Sequence, residues 1–193
     1  MAFVSQSKGM DYMHPFTFNG VRSLIGAASI LVYILISRKI AGDKAAPLDW
    51  KLNVKAGLLC GIFLTIASTL QQFGIKYTSV GKAGFITTLY IIFVPMFGIF
   101  LKKKVAPVVW AAAVMAAVGM YLLCMTESLR LGAGDIMVFL CAIAFAIQIM
   151  TVDHYAARID GAVVSCIQFT VCGVVCCIGA LIVGTAHLRS AAG

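Results

Sequence analysis

Ala162-Val-Val-Ser-Cys-Ile-Gln-Phe-Thr-Val-Cys-Gly-Val-Val-Cys-Cys-Ile-Gly-Ala-Leu-Ile-Val-Gly-Thr-Ala186 contains no Asp, Glu, Lys, Arg or His. A helix rising 1.5 Å per residue needs roughly 20 apolar residues to cross a hydrocarbon core about 30 Å thick, and this stretch exceeds that length. Working outward from it, residues 16–36, 56–75, 83–101, 107–125 and 136–152 repeat the pattern; only the first holds a charge, Arg22, with Asn19 beside it. All seven acids fall outside these runs. A membrane barrel would show segments of about ten residues alternating apolar and polar, whereas these runs are apolar on every face. Helices satisfy their own backbone hydrogen bonds, which lipid requires. The expectation is an all-α integral membrane protein with about six transmembrane helices. The first run begins at residue 16 with no basic region before it and five more follow, which argues against a cleaved signal.

Composition agrees. Of 193 residues 62% are hydrophobic and 11% charged, with a mean hydropathy of +1.01, too little polar surface to cover a water-soluble globule. The net charge of +8 would suggest nucleic acid in a soluble protein, but here the bases follow the loops. Arg38, Lys39, Lys44, Lys51, Lys55, Lys102, Lys103, Lys104 and Arg158 share one side; Lys8, Lys76, Lys82, Arg130 and Arg189 share the other. The positive-inside rule places the richer side in the cytoplasm and makes this a multi-pass cell-membrane protein, with no nucleic-acid partner needed. Cys60, Cys124, Cys141, Cys166, Cys172, Cys176 and Cys177 all lie within or beside the spans, without a Cys-x-x-Cys pair, and read as small packing residues.

The longest expected connector is 37–55, and 78–81 and 102–106 read as tight turns, so neighbouring helices run antiparallel. A short internal match links Ala2-Phe-Val-Ser-Gln6 with Ala144-Phe-Ala-Ile-Gln148; at the same offset Asp11 meets Asp153, and four extra residues bring Arg22 opposite Gln168. Coincidence between two apolar stretches explains it equally well. Taken as a repeat, it puts Met1 partway along a helix and makes the unit five spans long. An odd number of spans inverts the next copy, a recurrent transporter plan.

The block Leu70-Gln-Gln-Phe-Gly-Ile-Lys-Tyr-Thr-Ser-Val-Gly-Lys-Ala-Gly-Phe-Ile-Thr-Thr-Leu-Tyr-Ile-Ile-Phe-Val-Pro95 resembles the third-to-fourth helix region of the EamA family in the drug/metabolite transporter superfamily. Pro15-Phe-Thr-Phe-Asn-Gly-Val-Arg22 opening one helix, and Lys102-Lys-Lys104 followed by Pro107 and Trp110 opening another, extend the resemblance over nearly the whole sequence. It implies a ten-helix plan of two inverted five-helix repeats, cytoplasmic termini and a solute cavity between the repeats. On that plan 1–125 is a first repeat lacking most of its first helix and 126–193 starts a second with two helices only. The expectation is a chain shortened at both ends, whose partners are a small-molecule solute, membrane lipid, and either further copies of itself or the missing helices supplied by another chain.

Candidate solute-cavity residues are the polar ones inside the spans. On 56–75, Gly57, Gly61, Thr65, Ser68, Thr69 and Gln72 recur at spacings of three and four and form one stripe. Close helix packing accounts for the glycines; Gln71 and Gln72 are costly at membrane depth unless bonded or wet. Lys82, Thr87, Thr88 and Tyr90 follow on the next span, where Lys82 is most simply interfacial and snorkels to water. Pro95 removes a hydrogen bond mid-span and is the expected kink or hinge. Arg22 either reaches headgroups or faces inward toward an anionic solute or Asp11. Gln148 and Gln168 are weaker candidates of the same kind, and Asp153 with His154 marks a cytoplasmic helix end.

Catalytic signatures are missing from the sequence: His14, His154 and His187 are scattered, with no His-Glu-x-x-His, nucleophile elbow or phosphate-binding loop. Neither a cofactor nor a metal is expected, nor enzymatic activity. The leading reading is a secondary active or facilitated transporter of a small metabolite, an amino acid or related compound; the alternative is a non-transporting membrane fragment or accessory subunit that assembles with another chain. The charge asymmetry makes a direct prediction. A cysteine introduced at Lys44 or Lys103 should react with a membrane-impermeant maleimide only after the cytoplasmic face is opened, and labelling of both in intact cells would contradict the orientation.

Overall fold

The computed structural model describes residues 14–41, 49–100, 106–124 and 132–191, and every regular element among them is helical. In chain order these are α1 (Pro15–Ala41), α2 (Trp50–Tyr77), α3 (Val80–Thr88), α4 (Tyr90–Phe100), α5 (Pro107–Cys124), α6 (Ala133–Tyr155), one 3-10 turn (Ala156–Arg158) and α7 (Gly161–Ala191). Five segments are long and apolar enough to cross a membrane: Pro15–Ile40, Trp50–Tyr77, Val80–Phe100, Ala133–Arg158 and Gly161–Val183, with Pro107–Gly119 a shorter apolar helix. This is an all-α, multi-pass membrane protein.

Helix ends are set by particular residues at the margins of the apolar runs. Pro15 and Pro107 each occupy the first helical position, where a missing N–H costs nothing. Asp49 Oδ1 accepts from Leu52 N at 3.2 Å, Ser79 Oγ from Lys82 N at 3.3 Å, and Asp160 Oδ1 from Ala162 N at 3.0 Å, so each caps the helix that follows it. The helices accordingly outrun the hydrophobic stretches. α1 continues through Arg38 and Lys39 to Ala41 and α2 starts at Trp50, so the expected 37–55 connector gives up both ends. Bases in a last turn favour the helix C-terminus, and hydropathy cannot register that.

Packing divides the described chain into two compact units, Met13–Thr65 with Thr151–Gly193, and Ile66–Met150. The expected repeat boundary at 125/126 lies outside the described residues, as do residues 2–6 and Asp11 of the internal match.

In the first unit α1 and α7 run antiparallel. A Cβ on Gly20 would lie 2.9 Å from Cys177 Sγ, one on Gly173 2.7 Å from Leu24, and one on Gly179 3.2 Å from Phe16. The N-terminal half of α2 lies along α7 in the same direction, with Gly57 against Ile167 and Gly61 against Val171. Ala56, Cys60 and Val164 form a buried cluster there.

In the second unit α2 packs on α6 through Gly74 against Val138 and Gly134 against Tyr77. Ile75, Ala83, Ile86 and Val138 form one buried cluster, and Ala67, Cys141 and Ala144 another. Small residues dominate both units because lipid offers no hydrophobic drive between helices, leaving close van der Waals approach to hold them.

Gly134 tests this packing. A Cβ there would sit 2.8 Å from the Tyr77 carbonyl carbon and 2.9 Å from Gly74 O, both backbone atoms that cannot swing away, whereas one on Gly119 meets nothing within 4 Å. Gly134→Ala should cost about 1–3 kcal/mol, and Gly119→Ala should leave stability unchanged or slightly higher. Thermal unfolding of the detergent-purified variants checks this, and equal midpoints for Gly134→Ala and wild type would refute the close approach.

Candidate functional site

The polar side chains expected within the spans are distributed over both units. In the second unit, Ser68 and, one turn on, the adjacent Gln71 and Gln72 of α2 are buried, as is Thr87 on α3. Gln71 Nε2 donates to Thr87 Oγ1 at 3.4 Å, tying α2 to α3. Gln72 is 1% exposed, and neither its Nε2 nor its Oε1 has a hydrogen-bond partner among the described residues. Both glutamines therefore face protein. Leaving a polar group buried and unmet costs about 1–3 kcal/mol, so Gln72 is an expensive residue to keep at this position.

The neighbouring candidates behave differently. Thr88 Oγ1 donates to Gly84 O at 2.7 Å and is satisfied within its own helix, as is Thr65 through Gly61 O at 2.6 Å. The Tyr90 ring packs against Phe145 with centroids 6.3 Å apart, and Gln148 is half-buried. The helix carrying Thr87 and Tyr90 is interrupted at Leu89, whose N–H bonds to Ile86 O at 3.1 Å in a tighter turn, and α4 restarts from the Leu89 carbonyl. Pro95 is buried inside α4, so the discontinuity falls six residues before it rather than at it.

A second polar cluster was only half visible in the sequence. Lys82 Nζ lies 2.7 Å from Asp135 Oδ2, and the same carboxylate accepts from Gly132 N at 2.9 Å and from the Thr78 hydroxyl. The Asp135 side chain is 2% exposed and that of Lys82 17%. Lys82 is thus paired rather than snorkelling to water, and Asp135, one residue outside its expected span, is a buried part of α6. The legible signal was Gly132-Ala-Gly-Asp135 opening an apolar run: an acid at the third helical position reaching back to the N-cap amide. In this way one carboxylate pins the α2–α3 turn to the start of α6.

In the first unit, Asn19 and Ser23 on α1 are buried and donate to cysteine sulfurs of α7, Asn19 Nδ2 to Cys176 Sγ at 3.3 Å and Ser23 Oγ to Cys172 Sγ at 3.4 Å. Cys172 and Cys176 therefore accept hydrogen bonds as well as fill space. Gln168 is buried close to Gly61 of α2. Arg22 is exposed on α1, with Nη2 donating to Asn19 Oδ1 at 3.3 Å. Arg22 and Gln168 therefore occupy unlike environments. Among the described residues no group of three or more His, Cys, Asp or Glu side chains could hold a metal ion.

Apolar helices across a membrane, tied by buried polar contacts, define a multi-pass helical membrane protein. Residues 1–125 match the EamA-like transporter family, and the chain belongs to that family. It is 30% identical over 153 residues to a protein of Archaeoglobus fulgidus described as an uncharacterized transporter; the match covers 76% of this chain and 42% of that protein. The chain thus spans about two fifths of the length of that relative. No solved structure matches it.

The Lys82–Asp135 pair carries a stability prediction. Removing one partner of a buried pair strands the other charge and costs about 3–5 kcal/mol. Lys82→Met should lower stability by that order, and Lys82→Met combined with Asp135→Asn should recover part of the loss. Chemical or thermal unfolding of wild type, Lys82→Met, Asp135→Asn and the double variant measures the coupling, and additive effects would show that the pair carries no interaction energy.

Proposed function

We propose that the chain carries a small polar metabolite, an amino acid or related compound, across the cell membrane by facilitated or ion-coupled transport, with its basic loops in the cytoplasm. Membership of a transporter family supports the activity, and the antiparallel pairing of α1 with α7 is what equivalent helices of an inverted repeat would adopt. The observation that carries the reading is Gln72. A buried amide without a partner is selected against unless something polar visits it, and its carbonyl and NH2 groups together match a solute bearing both a donor and an acceptor. Gln71 and Thr87 lie within a turn of it in sequence or across one hydrogen bond, and the break at Leu89 lies two residues beyond Thr87. A polar contact thus lies close to a one-residue interruption of the helical ladder, which supports the reading. Pro95, Tyr90 and Gln148 are kept as secondary candidates.

A transport role predicts that function and stability separate at this residue. Gln72→Leu removes an unmet polar group without opening a void, so the variant should be as stable as wild type or more so. Uptake by proteoliposomes, measured with a panel of isotopically labelled amino acids, should fall about tenfold, as expected for losing roughly 1.4 kcal/mol of polar contact. Uptake unchanged in Gln72→Leu would remove this residue from the solute path, and wild-type vesicles no better than empty ones would overturn transport by this chain.

A further inference from the structure

α1 is the least buried of the membrane-length helices, and its outward side carries a cation in apolar surroundings. Phe18, Val21, Arg22 and Ile25 line an open groove of about 310 Å³ on that side. Val21 and Ile25 are 44% and 63% exposed, and no carboxylate among the described residues pairs with Arg22. Its guanidinium gives one N–H to Asn19 Oδ1, which is itself anchored to Cys176 on α7, so the orientation of the cation is fixed by the α1–α7 interface. The group has five donors and no acceptor, and among the described residues Asn19 is its one hydrogen-bond partner.

We infer that the groove formed by Phe18, Val21 and Ile25 beside Arg22 binds one anionic phospholipid, its phosphate on the guanidinium and an acyl chain along the apolar walls. Depth supports this occupant. Arg22 lies seven residues into α1, roughly 10 Å along the axis from Pro15, within range of the headgroup layer for a side chain that extends toward the interface. A phospholipid phosphate already resides at that layer, whereas a soluble anion would have to leave water to enter these apolar surroundings. Planar, forked N–H donors match phosphate oxygens two at a time, which distinguishes this contact from general attraction to an anionic surface. Charge and shape thus point to the same ligand, and the inference stands independently of what the protein transports.

The test is lipid retention by the whole chain. Protein reconstituted into vesicles of equimolar phosphatidylglycerol and phosphatidylcholine is extracted in mild detergent and its bound lipid read by native mass spectrometry. Wild type should retain phosphatidylglycerol over phosphatidylcholine by about fivefold, the scale of one basic residue acting on an anionic lipid. Arg22→Gln should abolish that preference. Ile25→Trp, which fills the groove and leaves the charge in place, should lower phosphatidylglycerol retention while the protein stays helical and monodisperse. Equal retention of the two lipids by wild type, or a preference unchanged in either variant, overturns the inference. So does displacement of the lipid by millimolar glycerol phosphate, which would mark a site for free anions, or a self-associated chain whose dimer is lost in Ile25→Trp while lipid retention is not.

Discussion

The hydrocarbon core of a bilayer cannot donate or accept hydrogen bonds, and that constraint organises this molecule. Each helix meets most of its backbone groups internally, and at four N-termini side chains meet free amides: Asp49, Ser79 and Asp160 cap, and Asp135 reaches back to the amide of Gly132. Between helices the same demand selects short polar side chains beside small residues. Asn19 and Ser23 reach the sulfurs of Cys176 and Cys172 because Gly20 and Gly173 let α1 and α7 approach so closely. Neither contact is strong alone, since interhelical polar contacts in membranes average about 0.6 kcal/mol, but each leaves no buried group unmet.

Against that background the deviations carry information. The Lys82–Asp135 pair is a full salt bridge set at the start of α6, where the helix N-terminus and the Thr78 hydroxyl also stabilise the carboxylate. It is a complete arrangement, and it fixes the turn from which α3 departs. Gln72 is the opposite case. Gln71 bonds across to Thr87 while Gln72, the next residue, is sealed in without a partner. Proteins keep such costs where function requires them, and on the proposed transport reading this group would be exposed to solute at one stage of a cycle and covered at another.

Much of the architecture was legible because transmembrane helices announce themselves by length: an uninterrupted apolar run such as 162–186 admits one interpretation. Ends were misjudged at Arg38, Lys39 and Trp50 because hydropathy measures transfer into lipid, whereas a helix ends where its hydrogen-bond ladder does. The polar sites were legible as residue types and not as pairings. Lys82 read as interfacial since nothing in one dimension brings it within 2.7 Å of a residue 53 positions away. Gln71 and Gln72 look alike in sequence, and only the packing of α3 against α2 separates the bonded one from the unbonded one. The discontinuity at Leu89 was hidden behind Pro95, because proline is the visible breaker while a turn closed by Ile86 O has no residue signature. Arg22 is exposed and bonded to Asn19, a pairing its residue type does not announce.

The central claim is that Gln72 is buried here yet meets water or solute during function, and Gln71 does not. Side-chain amide proton exchange reports this directly. In lipid nanodiscs with nitrogen-15-labelled glutamine, the Gln72 amide protons, assigned by their loss in Gln72→Leu, should exchange with water within the experiment, while those of Gln71, held by Thr87, should exchange far more slowly. Gln72 protected as fully as Gln71 would contradict the account.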